Sequence, residues 1–121
     1  MSDRILFFGD ADSVHLQRWV AAMASRGFEC VVATRSPGAV LQGLPGARAV
    51  HLLHPGSDAA GWFAALPAVR RLAARLQPRW LHGHYVTSYG LWAAACRGVV
   101  AAPLVQTAWG SDILVTPREP G

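Results

Sequence analysis

The stretch ILFFGDADSVHLQRWVAAMASRGFECVVAT, residues 5–34, decides the fold. Arg4 to Phe8 (RILFF) is a continuous apolar run closed by Gly9, as expected of a strand buried on both faces. The turn Gly9-Asp10-Ala11-Asp12 follows, and a helix is predicted from Ser13, whose hydroxyl, or the Asp12 carboxylate, is placed to cap free amides. Leu16, Val20, Met23 and Ala24 recur at helical spacing as its buried stripe, and Gly27 supplies a left-handed stop. Glu29 to Thr34 (ECVVAT) is a second strand. Strand, helix, strand in close succession implies a parallel pair, because only a crossover returns the chain to the same sheet edge.

Working outward, the alternation continues. A Pro/Gly-rich loop from Ser36 to Gly46 leads to a third strand at Arg48–Leu53 and a helix from Ser57 to Gln77. In that helix Leu66, Val69, Leu72, Ala73 and Leu76 share one face, while Arg70, Arg71 and Arg75 fall elsewhere. Pro78 ends it. Arg79 to His84 reads as a fourth strand, Thr87 to Arg97 as a helix, and Pro103 to Thr107 as a fifth strand. The expectation is a single α/β domain: a Rossmann-like parallel sheet of five strands in the order 3-2-1-4-5, with helices on both faces. In such sheets ligands bind outside the carboxyl ends of the strands at the switch point, here between strands 1 and 4. That rule selects Gly9–His15, His82–Tyr89 and Thr107–Asp112.

Composition narrows the class. The chain has 121 residues, enough for one domain; 52% are hydrophobic and 15% charged, which excludes a disordered chain. The net charge of +4 comes from eleven arginines and no lysine against seven acids, and it favours anionic partners. For the arginine-bearing helix face, a solvated surface and a membrane-surface contact are both open. Cys30 and Cys96 are the only cysteines and form no CxxC, so two buried thiols in a reducing cytosol are expected. No signal peptide is evident in MSDRILFFGD. The apolar segment Leu91–Val105 is broken by Arg97, Gly98 and Pro103, so it falls short of a bilayer span. A soluble, cytoplasmic protein is expected.

The selected segments carry distinct chemistry. The first turn has one glycine and two carboxylates, not the G-x-G-x-x-G that lets backbone approach a pyrophosphate, so NAD or FAD is not expected. A receiver domain is also excluded, because no acid ends strand 3 and the chain lacks lysine. Asp10, Asp12, Ser13 and His15 suit sugar or polyol hydroxyls, although Asp12 as a cap and Asp10 in solvent would explain the same residues. In His82-Gly83-His84-Tyr85 the two histidines alternate onto one face and Gly83 leaves room on the other. A metal is not expected, since His15, His51 and His54 have no ligand spacing. One histidine of the pair is expected to be packed and the other to face a cleft. In Thr107-Ala108-Trp109-Gly110-Ser111-Asp112 a turn presents amides, a hydroxyl and a carboxylate beside an indole that can stack on a sugar ring.

These segments together resemble family 4 (group 1) glycosyltransferases. Residues 5–34 are similar to that family's first strand-helix-strand, with Arg26-Gly27-Phe28-Glu29-Cys30 at its "RGHEV". The stretch QPRWLHGHYVTSYGLWAA, residues 77–94, resembles its "kPDiiHaHy…syG", and PLVQTAWGSDIL, residues 103–114, its "PlvvTxHGSD". The resemblance implies a GT-B transferase of two Rossmann-like domains, retaining and metal-free. Its N-terminal domain binds the acceptor and its C-terminal domain holds a nucleotide-sugar donor, with no separate cofactor. By position, Gly9 to Ser13, with Asp10 and Asp12, would line the acceptor side near the donor phosphates, His84 would lie at the cleft floor, and Gly110, Ser111 and Asp112 would approach the transferred sugar. His15, Tyr85 and Trp109 complete the candidate substrate-binding residues.

Trp109 stands where the family often has His; an indole N–H only donates, so His84 and Asp112 are weak catalytic candidates. The chain ends at Gly121, and the expectation is a truncated N-terminal domain of a hexosyltransferase-type enzyme, inactive without a donor domain supplied in cis or in trans. The alternative is a stand-alone non-catalytic subunit of a split transferase, or a glycan-binding module. A glycan or lipid-linked acceptor, peripheral contact with the inner membrane face through Arg70, Arg71 and Arg75, and a homodimer through an exposed sheet edge are the expected partners; nucleic acid is not.

Overall fold

The computed structural model describes residues 3–35, 43–51, 63–84 and 89–107. The elements are β1 (Arg4–Phe8), α1 (Val14–Ala24), β2 (Glu29–Thr34), β3 (Ala47–His51), α2 (Leu66–Leu76), β4 (Trp80–His84), α3 (Tyr89–Ala95) and β5 (Leu104–Thr107), with a 3₁₀ turn at Cys96–Gly98 after α3. All strand pairs are parallel, and the sheet order is β3-β2-β1-β4-β5. The order expected from the alternation of elements is therefore the observed one.

The period of two along β1 sorts its side chains into two cores. Ile5 and Phe7 pack with Cys30 and Val32 against Leu16 and Val20 of α1. Leu6 and Phe8 pack with Val31 and Ala33 against Val69, Leu72, Ala73 and Leu76 of α2 and Trp92, Ala93 and Cys96 beyond. A parallel sheet covered on both faces results, which explains why β1 and β2 read as unbroken apolar runs. Trp92 is fully buried on the α2/α3 side, the largest such side chain among the described residues.

Both main helices stop by left-handed geometry. Gly27, at φ 92°, lets the Phe28 N–H reach the Met23 carbonyl at 3.2 Å, the long bond of a Schellman end. Gln77 does the same duty for α2 at φ 46°, its N–H on the Ala73 carbonyl and its Nε2 on the Ala74 carbonyl at 2.7 Å. So Gln77 makes the stop that the sequence attributed to Pro78. Of the predicted α2 stripe, Leu66 is only partly buried, and it packs at the margin of the core. The predicted helical residues 57–62 and 87–88 lie outside the described residues.

Candidate functional site

The carboxyl ends of β1, β2 and β4 converge on one edge. Gly9 ends β1, where its N–H donates to the Ala33 carbonyl at 3.2 Å. A Cβ built on Gly9 would stand 3.2 Å from Leu16 Cδ2 and 3.3 Å from His84 Cβ. Glycine therefore lets α1 and the end of β4 close on β1 together. The turn is then ordered from within: Asp10 Oδ1 accepts from the Asp12 N–H at 2.9 Å, and the Asp10 carbonyl accepts from the Ser13 N–H at 2.9 Å. Ser13 occupies the N-cap position, but its hydroxyl makes no capping bond. The expected Ser13 cap is thus not made, and the Asp10 carboxylate orders the turn ahead of the helix, because its short side chain competes for the nearest amides. Asp12 and His15 are exposed at this mouth.

A buried polar network braces the turn from below. The Ala11 N–H donates to Thr34 Oγ1 at 3.1 Å, the hydroxyls of Thr34 and Tyr89 are hydrogen-bonded, and the Arg35 N–H donates to the Tyr89 hydroxyl at 3.2 Å. Burial is the main cause that raises the Tyr89 pKa, with Asp10 adding to it and the Arg35 and Thr34 bonds opposing, so the phenol stays protonated. Tyr89 closes the His82–Tyr89 segment selected from the sequence, without a role of its own, whereas Thr34 and Arg35 were not singled out. The signal for these two was present: they end an apolar strand at the carboxyl edge, where the switch-point rule applies as much as to β1.

On β4, His82 and His84 point to the α1 side, as their alternation predicted. Their rings stack on each other at 4.7 Å between centroids and lie against Phe7, with Trp19 of α1 edge-on to His82 at 4.9 Å. Each is 2% exposed, so the expectation that one opens onto a cleft is not met. Burial holds both well below the ordinary imidazole value, at about 4, and for His84 the nearby His82 and His15 add to the effect. Both rings are neutral at pH 7. Gly83, facing the other way, has only 3.0 Å from a built Cβ to Ala93 Cβ, which is how closely α3 approaches the sheet.

Gly9, Asp10, Asp12, Ser13, His15 and His84 are thus gathered at one edge, whereas Tyr85, Trp109, Gly110, Ser111 and Asp112 lie outside the described residues. Among the described residues no three His, Cys, Asp or Glu side chains cluster as a metal ion would need. Burial pushes the Cys30 thiol up to about 11 and the Cys96 thiol to about 12, so neither offers a thiolate nucleophile at neutral pH. No helix among the described residues is long and apolar enough to cross a membrane.

A 3-2-1-4-5 parallel sheet with a polar carboxyl edge and a first turn lacking a phosphate loop defines a Rossmann-like domain without the dinucleotide fingerprint. The glycosyl transferase 4-like family matches residues 4–121, and the chain belongs to that family. No curated protein matches it. Two crystal structures of the C-terminal domain of a Pyrococcus furiosus hydrogenase, residues 83–215 and 78–226, are similar, each with a TM-score of 0.60. They share 9% and 10% identity, cover 86% and 88% of this chain, and are themselves covered over 90% and 92%. At such identity the likeness is one of fold alone.

Proposed function

We propose that the chain is the acceptor-side N-terminal domain of a retaining, nucleotide-sugar-dependent glycosyltransferase of GT-B architecture. The observation that carries this is the turn after β1: one glycine and two carboxylates, held beside His15, in a member of the glycosyl transferase 4-like family. Carboxylates accept from sugar hydroxyls and repel a diphosphate, which supports acceptor binding over donor binding at this edge.

Within that reading His84 is a positioning group. A neutral, buried imidazole with a pKa of about 4 is a poor proton acceptor at pH 7, so it holds the turn instead of deprotonating an acceptor. The base is then an oxygen of the donor phosphate, with Asp112 and Trp109 near the transferred sugar. The enzyme works in the cytoplasm, a reading supported by two buried free thiols. A donor-binding domain, in cis or in trans, completes the catalyst, so a polypeptide of these 121 residues binds acceptor without turnover.

Amide chemical shifts test this. Titration with free hexoses and N-acetylhexosamines is expected to move the Gly9–Ser13 and Arg35 amides, and uridine diphosphate alone is not. The reverse pattern would make this a nucleotide-binding edge. Transfer of radiolabelled sugar by the 121-residue chain alone would overturn the division of labour.

A further inference from the structure

On the face of the sheet opposite α1, the outer side of α2 presents a second feature. Leu66, Pro67, Arg70, Arg71 and Ala74 form one stripe along the helix and, with Ala95 and Val99 across from them, line an open groove of about 630 Å³. Its floor is aliphatic and its polar groups are guanidinium. Phe63, just before α2, is 58% exposed. Arg97 lies in the 3₁₀ turn between Ala95 and Val99, and a Cβ on neighbouring Gly98 would be 3.7 Å from Arg70 Nη2.

The charge here is one-sided. Residues 59–110 contain five arginines and no Asp or Glu at all. Among the described residues the two ion pairs, Arg4–Glu29 and Arg79–Asp3, involve none of Arg70, Arg71, Arg75 and Arg97. We propose that this groove docks the domain on an anionic membrane surface, with Arg70 and Arg71 at the headgroups and the aliphatic floor against the acyl boundary. Long arginine stems lying along apolar surface with their charges outward suit that boundary. Nucleic acid fits poorly, because an aliphatic floor offers no ring on which bases stack.

The structure also divides the three arginines of the helix. Arg70 and Arg71 line the groove, whereas Arg75 does not. Because α2 returns the chain antiparallel to the strands, its Leu66 end lies toward the carboxyl edge of the sheet.

Co-sedimentation of the chain with phosphatidylcholine vesicles, with and without phosphatidylglycerol, tests the proposal. Binding is expected only with the anionic lipid and to weaken with salt, as screening over about 8 Å requires. The double variant R70Q/R71Q is expected to bind roughly 20-fold more weakly, and R75Q at most about 5-fold. Ala74→Glu, at an exposed position that favours helix, places a carboxylate on the floor and is expected to abolish binding. Circular dichroism melts confirm folding; if the double variant unfolds, A74E and the lipid and salt dependence of the unaltered chain decide.

Equal binding to both vesicle types, or full binding by A74E, overturns the proposal. Displacement by millimolar glycerol phosphate would point instead to a soluble phosphate ligand, and absence of binding to any vesicle to an acidic protein partner; either also overturns it. The surface stands apart from the transferase reading: vesicle binding without hexose-induced shifts at the β1 turn would sink that reading and leave this one intact.

Discussion

The two edges of the sheet are held in opposite ways. At the amino edge, Arg4 Nε meets Glu29 Oε2 at 2.9 Å and Arg79 meets Asp3 at 3.4 Å, all at the surface. At the carboxyl edge the ties are neutral hydrogen bonds that run inward, from Ala11 through Thr34 and Tyr89 to Arg35. Exposed ion pairs gain little, because water screens them and long side chains must be fixed. Buried neutral bonds are modest to make but costly to leave half made. The edge that carries the candidate site is thus the one whose polar groups are committed to structure, which fixes the β1 turn before any ligand arrives.

The largest expected effect on this contrast is acid. His82 and His84 titrate at about 4 in the fold against 6.5 when exposed, so between these values the unfolded chain binds protons that the native chain refuses. Stability is fully present above pH 6.5 and falls as pH drops toward 4, by on the order of 3 kcal/mol per ring. Denaturant midpoints measured from pH 7 to pH 5, before carboxylates protonate, check this; a flat profile would show that the rings are not buried together.

Next comes Thr34→Val, which keeps the shape but strands the Ala11 N–H in a buried site. A loss of about 1–3 kcal/mol is expected, with faster amide exchange at Ala11. Tyr89→Phe removes the acceptor for the Arg35 N–H and is expected to cost about 1 kcal/mol, read by urea unfolding. Smallest is Glu29→Gln at the amino edge, where the side chains are 39% and 47% exposed. A change within about 0.5 kcal/mol that vanishes in high salt is expected, and a larger loss would erase the difference between the edges.

How far the sequence carried differs along the same line. Strands, helices and sheet order were legible because apolar periodicity and crossover geometry are local or generic. The facing of His82 and His84 followed from a period of two. Their burial did not, since it depends on Trp19, which reaches over them from another element. The Thr34–Tyr89 network was likewise hidden: its partners lie on separate crossovers, and no spacing rule joins a strand end to the start of a distant helix. Ser13 shows a subtler limit. The N-cap position was correct, but the Ser13 hydroxyl makes no capping bond, and Asp10 instead orders the turn ahead of the helix by taking the Asp12 N–H.

The placement of β1 at the centre of the sheet has a consequence in time. Its one neighbour, β2, follows soon after, but its other, β4, begins at Trp80, which pairs with Ile5. With synthesis running at roughly 5–20 residues per second, one side of the nascent β1 would wait about 4–15 s for its partner. During that interval the strand RILFF is an open apolar edge, which makes the emerging N-terminal half the segment most in need of a chaperone.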